Sequence, residues 1–397
     1  GGAAGGGGVS GAPDVLVVGA AITGAAAALA LAEAGASVEV VDRWFPAAMA
    51  SGWTLAGVRQ SGRDPAELPL ARAAVARWPT LDAELEAETG YTRSGNLRLA
   101  RTGAEVETIR ALAARQRAAG LDLTFLEGPE AVREIAPALA PTIRAASFCP
   151  SDGHADPVAT VQAFLAAAQR RGARVSPGAV VEALEVAGPR VVAARTPAGR
   201  VAPGAVLLAT GVQSNALLEP LGLRIPLRTP LVTVLRTAPL PPLIGPVLGV
   251  ANADMALRQE RDGRIRATSG ATAWAGELGV EDGRPVARPT AAQLAQTARR
   301  VAAVLPAFAE AEIAALWGGV LDLTPDALPV IDKAPGFDNL TAAAGFSGHG
   351  FGIGPVVGPL AADLILGRAP AHDLAPFRFD RFADAQAGAD AALTLHG

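Results

Sequence analysis

One cysteine and one lysine in 397 residues leave several kinds of chemistry without material. Cys149 cannot close a disulfide within the chain, and it cannot build a cysteine-rich metal site. That usage fits a reducing cytoplasm, which is the expected location. The four histidines, His154, His349, His372 and His396, are scattered, with no pair at helical metal-ligand spacing, so no metal is expected. Lys333 is the only lysine, and the remaining basic residues form no stripe. With a net charge of −4, nucleic acid is not an expected partner. Only 15–32 is apolar enough to imitate a membrane span. Pro13 and Asp14 precede it where basic residues would stand, Gly19 and Gly24 interrupt it, and a strand-like run follows at 38–41. It reads as a β-turn-α unit, and no transmembrane segment is expected.

What the chain has is apolar bulk. Half of its residues are hydrophobic and 18% are charged, enough for a large core. At about 100–200 residues per domain the length suggests two domains. The Gly/Ala-rich start reads as a flexible tail over 1–13.

An apolar run at 14–18, a helix over 23–34 ended by Gly35, and a strand at 38–41 make one βαβ unit, which favours a parallel sheet. Further on, 68–89 reads as helical. Strands at 95–101 and 123–126 flank a helix at 104–119. A helix at 158–171 starts behind Asp156 and Pro157, a cap followed by a first-turn proline. Residues 180–186 and 191–196 suggest a hairpin, and 205–210 another buried strand. Strand-like pieces at 231–236, 264–268 and 313–317 surround a helix at 291–304. A last apolar helix spans 356–366.

Gly19-Ala20-Ala21-Ile22-Thr23-Gly24 stands between the first strand and its helix. That is where a dinucleotide pyrophosphate sits, against helix N-terminal amides and the positive end of the helix dipole. Gly19 permits the tight turn and Gly24 the close approach of helix to strand. Ala21 replaces the middle glycine of the usual pattern, which weakens the motif without removing it. Asp42 ends the second strand and can accept from the adenosine ribose hydroxyls. It disfavours a 2′-phosphate, an argument tempered by Arg43. The fingerprint alone does not choose among NAD, NADP and FAD.

Two more segments bear on that choice. Val206-Leu207-Leu208-Ala209-Thr210-Gly211 runs from a strand into a small-residue turn, and Ala344 to Gly354 is dense in glycine. With Ala50-Ser51-Gly52, Ala56-Gly57-Val58-Arg59, Asp152 to Pro157 and Trp317-Gly318-Gly319 through Thr324-Pro325-Asp326, the chain resembles the D-amino acid oxidase superfamily of flavoproteins. Glycine oxidase, sarcosine oxidase and the β subunits of opine or hydroxyproline dehydrogenases are among its members. The resemblance covers nearly the whole chain. It implies an α/β, Rossmann-like FAD-binding domain from 14–90, 150–224 and 315–397. A mixed, largely antiparallel sheet from 91–149 and 225–314 would be inserted as a substrate domain.

It further implies oxidation of a C–H next to nitrogen in a small amine or amino acid by hydride transfer to flavin N5, giving an imine. Alternatives are a hydroxy-acid dehydrogenase and the flavin subunit of an electron-transferring complex. The acceptor would be oxygen, or a partner protein or quinone, and an oligomer is allowed. Besides the fingerprint residues, Asp42 and Arg43, the implied FAD residues are Ser51, Gly52, Ala56, Gly57, Arg59, Val181, Thr210, Gly211, Gly319, Gly348, His349, Gly350, Phe351, Gly352 and Ile353. Arg59 and His349 are the candidates for contact with the reacting centre, and no acid–base dyad is evident. Trp274, Arg228 and Arg258 are candidates for the substrate pocket. No cysteine stands near Trp317, where relatives with covalent flavin carry one, so non-covalent FAD is expected. Two carboxylate anchors of relatives are also missing: Gly352 stands in place of a lysine, and Val320-Leu321-Asp322 where an arginine is usual. Lys333 is expected in a loop away from the flavin.

Overall fold

Side chains alternate along the strand Val15–Val18, and that alternation sets the layering. Val15 and Val17 enter one core, with the helices Ile22–Glu33, Pro157–Arg170 and Gly350–Leu366. Leu16 and Val18 enter another on the opposite face, under a three-stranded sheet of Ala183–Ala187, Arg190–Thr196 and Gly199–Val201. A strand buried on both faces reads as a continuous apolar run, which is why 14–18 is legible in the sequence. The structure, a computed structural model, describes residues 12–382. The expected tail up to residue 11, and His396, lie outside the described residues.

The parallel sheet has six strands in the order Val330–Lys333, Leu340–Ala344, Ala205–Leu208, Val15–Val18, Val38–Asp42, Arg174–Pro177. Only Val330–Lys333 runs antiparallel to its neighbour. Lys333 therefore ends a strand instead of lying in a loop, and it does not line the cleft described below.

The second sheet has eight strands: Ile313–Val320, Leu231–Pro239, Arg264–Ser269, Met255–Gln259, Val247–Val250, Asn96–Ala100, Ala145–Cys149, Thr124–Glu127. Its pairs are antiparallel except Val247–Val250 with Asn96–Ala100, so it is mixed and largely antiparallel. Ile313–Val320 pairs along its length with Leu231–Pro239. The expected boundary at 315 therefore cuts through a strand of this sheet.

Three elements depart from the sequence reading. The helix expected over 68–89 ends at Arg77, gives a 3-10 turn at Trp78–Thr80, and resumes only for Leu81–Leu85. Pro79 lacks the N–H needed to continue it. The hairpin strand begins at Ala183, because 179–182 turns aside to line the cleft. The last helix begins at Gly350, not 356, and has Pro355 and Pro359 inside it. Pro359 cannot donate to the Pro355 carbonyl, and Arg77 Nη1 donates to it instead at 2.5 Å.

Candidate active site

The C-terminal ends of Val15–Val18 and Val38–Asp42 open onto one long cleft. At its near end a methyl at Gly24 would stand 1.9 Å from the Gly19 carbonyl oxygen, so the helix Ile22–Glu33 meets the turn backbone to backbone. Gly19 itself has φ +112°. Ala21 precedes the helix in extended conformation, φ −86°, so its methyl is carried without strain. The N-cap residue Ala21 has no side chain able to accept from the first-turn amides, which leaves most of them free at the cleft. One first-turn amide, Ile22 N–H, donates to Ser51 Oγ at 3.2 Å, so the Ser51 hydroxyl keeps its own proton to give elsewhere.

Asp42 accepts from Ala20 N–H at 2.7 Å on one oxygen and from Trp44 N–H at 2.8 Å on the other. Burial pushes its carboxyl up, against these two hydrogen bonds and Arg43. Each oxygen keeps a lone pair for a hydroxyl. Uncapped amides, a free hydroxyl and an acid at the end of the second strand are the donor and acceptor set that an adenine dinucleotide requires, so the residues fit FAD.

At the far end the cleft passes under the eight-stranded sheet. Val232, Val234, Ala256, Thr268, Gly319 and Val320 of that sheet line it there, together with Leu321, Asp322 and Gly348 to Phe351. Of the expected cofactor residues, Gly19, Ala21, Ile22, Thr23, Asp42, Arg43, Ser51, Arg59, Val181, Thr210 and Gly211 line this cleft, as do Gly319, Gly348, His349, Gly350 and Phe351. Ala20, Gly24, Gly52, Ala56, Gly57, Gly352 and Ile353 stand outside its lining. Gly352 has a steric reason to be glycine: a methyl there would be 2.8 Å from the Gly57 carbonyl oxygen. The lysine of relatives has no room in this chain.

The expected substrate residues are not brought in. Trp274, Arg228 and Arg258 do not line the cleft. Trp274 packs against the buried cluster of Leu231, Ala287 and Val320. Arg228 sits in a bridge with Leu323. Arg258 is 4% exposed and committed to the Leu55 carbonyl at 2.6 Å, His154 Nδ1 at 3.0 Å and Glu260 at 3.4 Å.

The sequence reading missed two acids. Glu67 accepts from His349 Nδ1 at 3.2 Å and lies 3.7 Å from Arg63 Nη1. Burial pushes Glu67 up, but Arg63 and His349 outweigh it and hold it at about 2. Burial and Arg63 pull His349 down to about 4. At neutral pH the pair is therefore a carboxylate and a neutral imidazole whose Nδ1 proton points at Glu67. His349 Nε2 is buried without a partner. Asp322 lines the cleft and accepts from Gly345 N–H at 2.7 Å, with its carboxyl pushed up to about 6 by burial. Nothing in the sequence marks Glu67, whereas Asp322 stood in the segment where an arginine was missing.

Two layers of sheet around an adenine-dinucleotide cleft define the dinucleotide-binding oxidoreductase class. The FAD dependent oxidoreductase (DAO) family model matches residues 14–364, and the chain belongs to that family. Its curated relatives include the uncharacterized oxidoreductase YurR of Bacillus subtilis (strain 168), 28% identical over 378 residues, 91% of this chain and 97% of that one. Among solved structures, L-proline dehydrogenase from P. horikoshii superposes with TM-score 0.83 at 26% identity, covering 93% of this chain and 97% of that one. Glycine oxidase from Bacillus cereus ATCC 14579 gives 0.82 at 25% identity, covering 93% and 99%. Among the described residues no helix is long and apolar enough to cross a membrane.

Proposed function

We propose that the chain oxidises a C–H bond next to nitrogen in a small amine or amino acid, giving an imine, with FAD held non-covalently. The observation that carries this reading is the far end of the cleft, which the apolar sheet residues Val232, Val234 and Ala256 line together with Gly319 and Gly348. Such a wall excludes water from a reacting C–H. The names of the L-proline dehydrogenase and glycine oxidase neighbours agree with an amine or amino-acid substrate.

In this reading Asp42, Ser51 and the open amides of the Ile22–Glu33 helix hold FAD, and 14–90 with 150–224 and the C-terminal segment forms its domain. Bound FAD supplies the hydride acceptor. The chain orients the substrate and keeps its nitrogen neutral. Arg59 brings positive charge to the cleft wall. His349, neutral above about 4, is held by Glu67 with its Nδ1 proton turned away from Nε2, which stays an acceptor. Non-covalent attachment is supported by the cleft lining, which holds no cysteine. Cys149 is buried elsewhere with its thiol pushed up to about 12.

The test is anaerobic bleaching of the yellow purified protein by N-methyl, D-, cyclic and opine-type amines beside 2-hydroxy acids, followed by acid release of FAD. An amine is expected to bleach it. Bleaching by hydroxy acids alone would overturn the amine reading, and flavin retained on the denatured chain would overturn the non-covalent one. Reoxidation by oxygen against quinone or partner protein then assigns the acceptor.

A further inference from the structure

A second, much smaller recess shares Arg59 with the cleft. Of about 10 Å³, and lined by Arg59, Ser61, Asn96, Arg98, Gln116 and Ser147, it has room for about one water-sized atom. Strand register puts recess and cleft on one face. Ser147, Arg98, Gly249, Ala256, Thr268 and Val234 are successive partners in one row across the large sheet. Directly paired residues project to the same side. Ala256, Thr268 and Val234 line the cleft, Arg98 and Ser147 the recess. Gly249 lies between them, and a side chain built there would meet nothing within 4 Å.

Among the described residues neither the Arg59 nor the Arg98 guanidinium takes part in a hydrogen bond or ion pair. The nearby acids are engaged: Glu67 with His349 and Arg63, Asp152 with Ser61 and the Gln60 amide. Asn96 Oδ1 and Gln116 Oε1 are buried without partners, in residues only 5% and 6% exposed. Turned over about its last bond, either amide offers N–H groups instead. Asp152 and Glu67 still act favourably on Arg59, whereas Arg98 feels only burial and the like charge of Arg63. Arg98 and Arg59 repel each other beside the void. An anion in the void replaces that repulsion with charge-assisted hydrogen bonds.

We propose that this recess is an anion subsite of the cleft, with Arg98 as its recognising residue. Resting here on the amine-oxidation reading, the ligand is a carboxylate oxygen that the substrate extends past Arg59. The same chemistry admits a free monovalent anion such as chloride.

The test is thermal unfolding of the purified holoenzyme and of Arg98→Gln with sodium chloride, sodium acetate or disodium glutarate. Ionic strength is held by a morpholine-ethanesulfonate salt too bulky for the recess. The wild type is expected to show a saturable rise in midpoint, with binding weakened roughly ten- to a hundred-fold in Arg98→Gln, as for loss of a charge-assisted pair. Saturation by chloride assigns a free anion, and saturation by the carboxylates alone assigns the substrate's own group. An equal response in both proteins, or none in the wild type, overturns the proposal. Should Arg98→Gln not fold, Gln116→Glu builds a carboxylate into the recess. It is expected to raise the midpoint without added anion and to abolish the response, and an unchanged response overturns the proposal. Flavin bleaching is read separately, so a failure of every amine to bleach removes the function reading and leaves the anion result standing.

Discussion

Glu67 and His349, 282 positions apart in the chain, meet in a buried hydrogen bond of 3.2 Å beside the cleft. The contact joins the start of the helix Leu68–Arg77 to the residue that precedes Gly350–Leu366. It sets the imidazole tautomer on which any role of His349 depends. It also gives Arg63, 7% exposed, its nearest acid.

Replacing Glu67 by Gln should therefore destabilise the fold by about 3–5 kcal/mol, because Arg63 is left as an uncompensated buried cation. Urea unfolding measures this. Adding Arg63→Met to the variant should restore part of the loss. A double variant no more stable than the single one would show that the ion pair is not the source.

How much of this was legible follows from what each residue depends on. The strand–turn–helix at 15–33 was legible because burial on both faces and the glycine spacing are local properties. The strands Val247–Val250 and Met255–Gln259 were not, since they are short and become regular only through pairing across the sheet. The Glu67–His349 contact has no local signal at all. Arg258 and Arg98 look alike in sequence, yet Glu260 takes up the first while the second faces an open void. That difference lies in strand register, which composition does not encode.

Gly24→Val should abolish flavin binding, because even a methyl would stand 1.9 Å from the Gly19 carbonyl oxygen. Absorbance near 450 nm after gel filtration reads the flavin, and circular dichroism reads the fold. Normal flavin content would count against the pyrophosphate site. Gly352→Lys should fail similarly instead of creating the carboxylate anchor of relatives, since its Cβ would meet the Gly57 carbonyl at 2.8 Å. Tighter carboxylate binding in a folded Gly352→Lys protein would contradict the packing argument.

His154 gives a pH dependence of definite sign. Arg258 Nη1 can only donate, so His154 Nδ1 accepts at 3.0 Å and the ring proton sits on Nε2. Burial first, then Arg258, pulls its pKa down to about 3. The unfolded chain takes up this proton near 6.5 and the folded chain only near 3, so folding stability falls as pH is lowered through that window. The slope is about 1.4 kcal/mol per pH unit for one proton. Asp322, pushed up to about 6, acts in the opposite direction between 6 and 3.8, so the comparison must be between variants. His154→Gln keeps an acceptor for Arg258 and should make the fall in urea-derived stability between pH 6.5 and 5 less steep. The remainder of the fall comes from His349, itself pulled down to about 4. An identical slope in both proteins would place the lost stability elsewhere.

Arg59 should matter to rate far more than to stability. Its guanidinium lines the cleft, and among the described residues it is in no ion pair, so removing it breaks no direct contact. Burial and the charges of Arg63 and Arg98 act against its protonated form, Asp152 and Glu67 offset them only in part, and the remainder is a cost the folded protein already carries. Arg59→Met should accordingly keep FAD and unfold at or above the wild-type midpoint. Reduction of the flavin by substrate should slow by an amount equivalent to about 2–4 kcal/mol, by analogy with loss of one preorganised donor. Stopped-flow reduction under anaerobic conditions measures the step directly, and saturation with substrate separates a slower step from weaker binding. Arg59→Lys keeps the charge but not the planar fork, and should recover the rate only in part. If Arg59→Met reduces at the wild-type rate, Arg59 is a wall residue only. If it loses FAD, its charge serves the cofactor instead of the reacting centre.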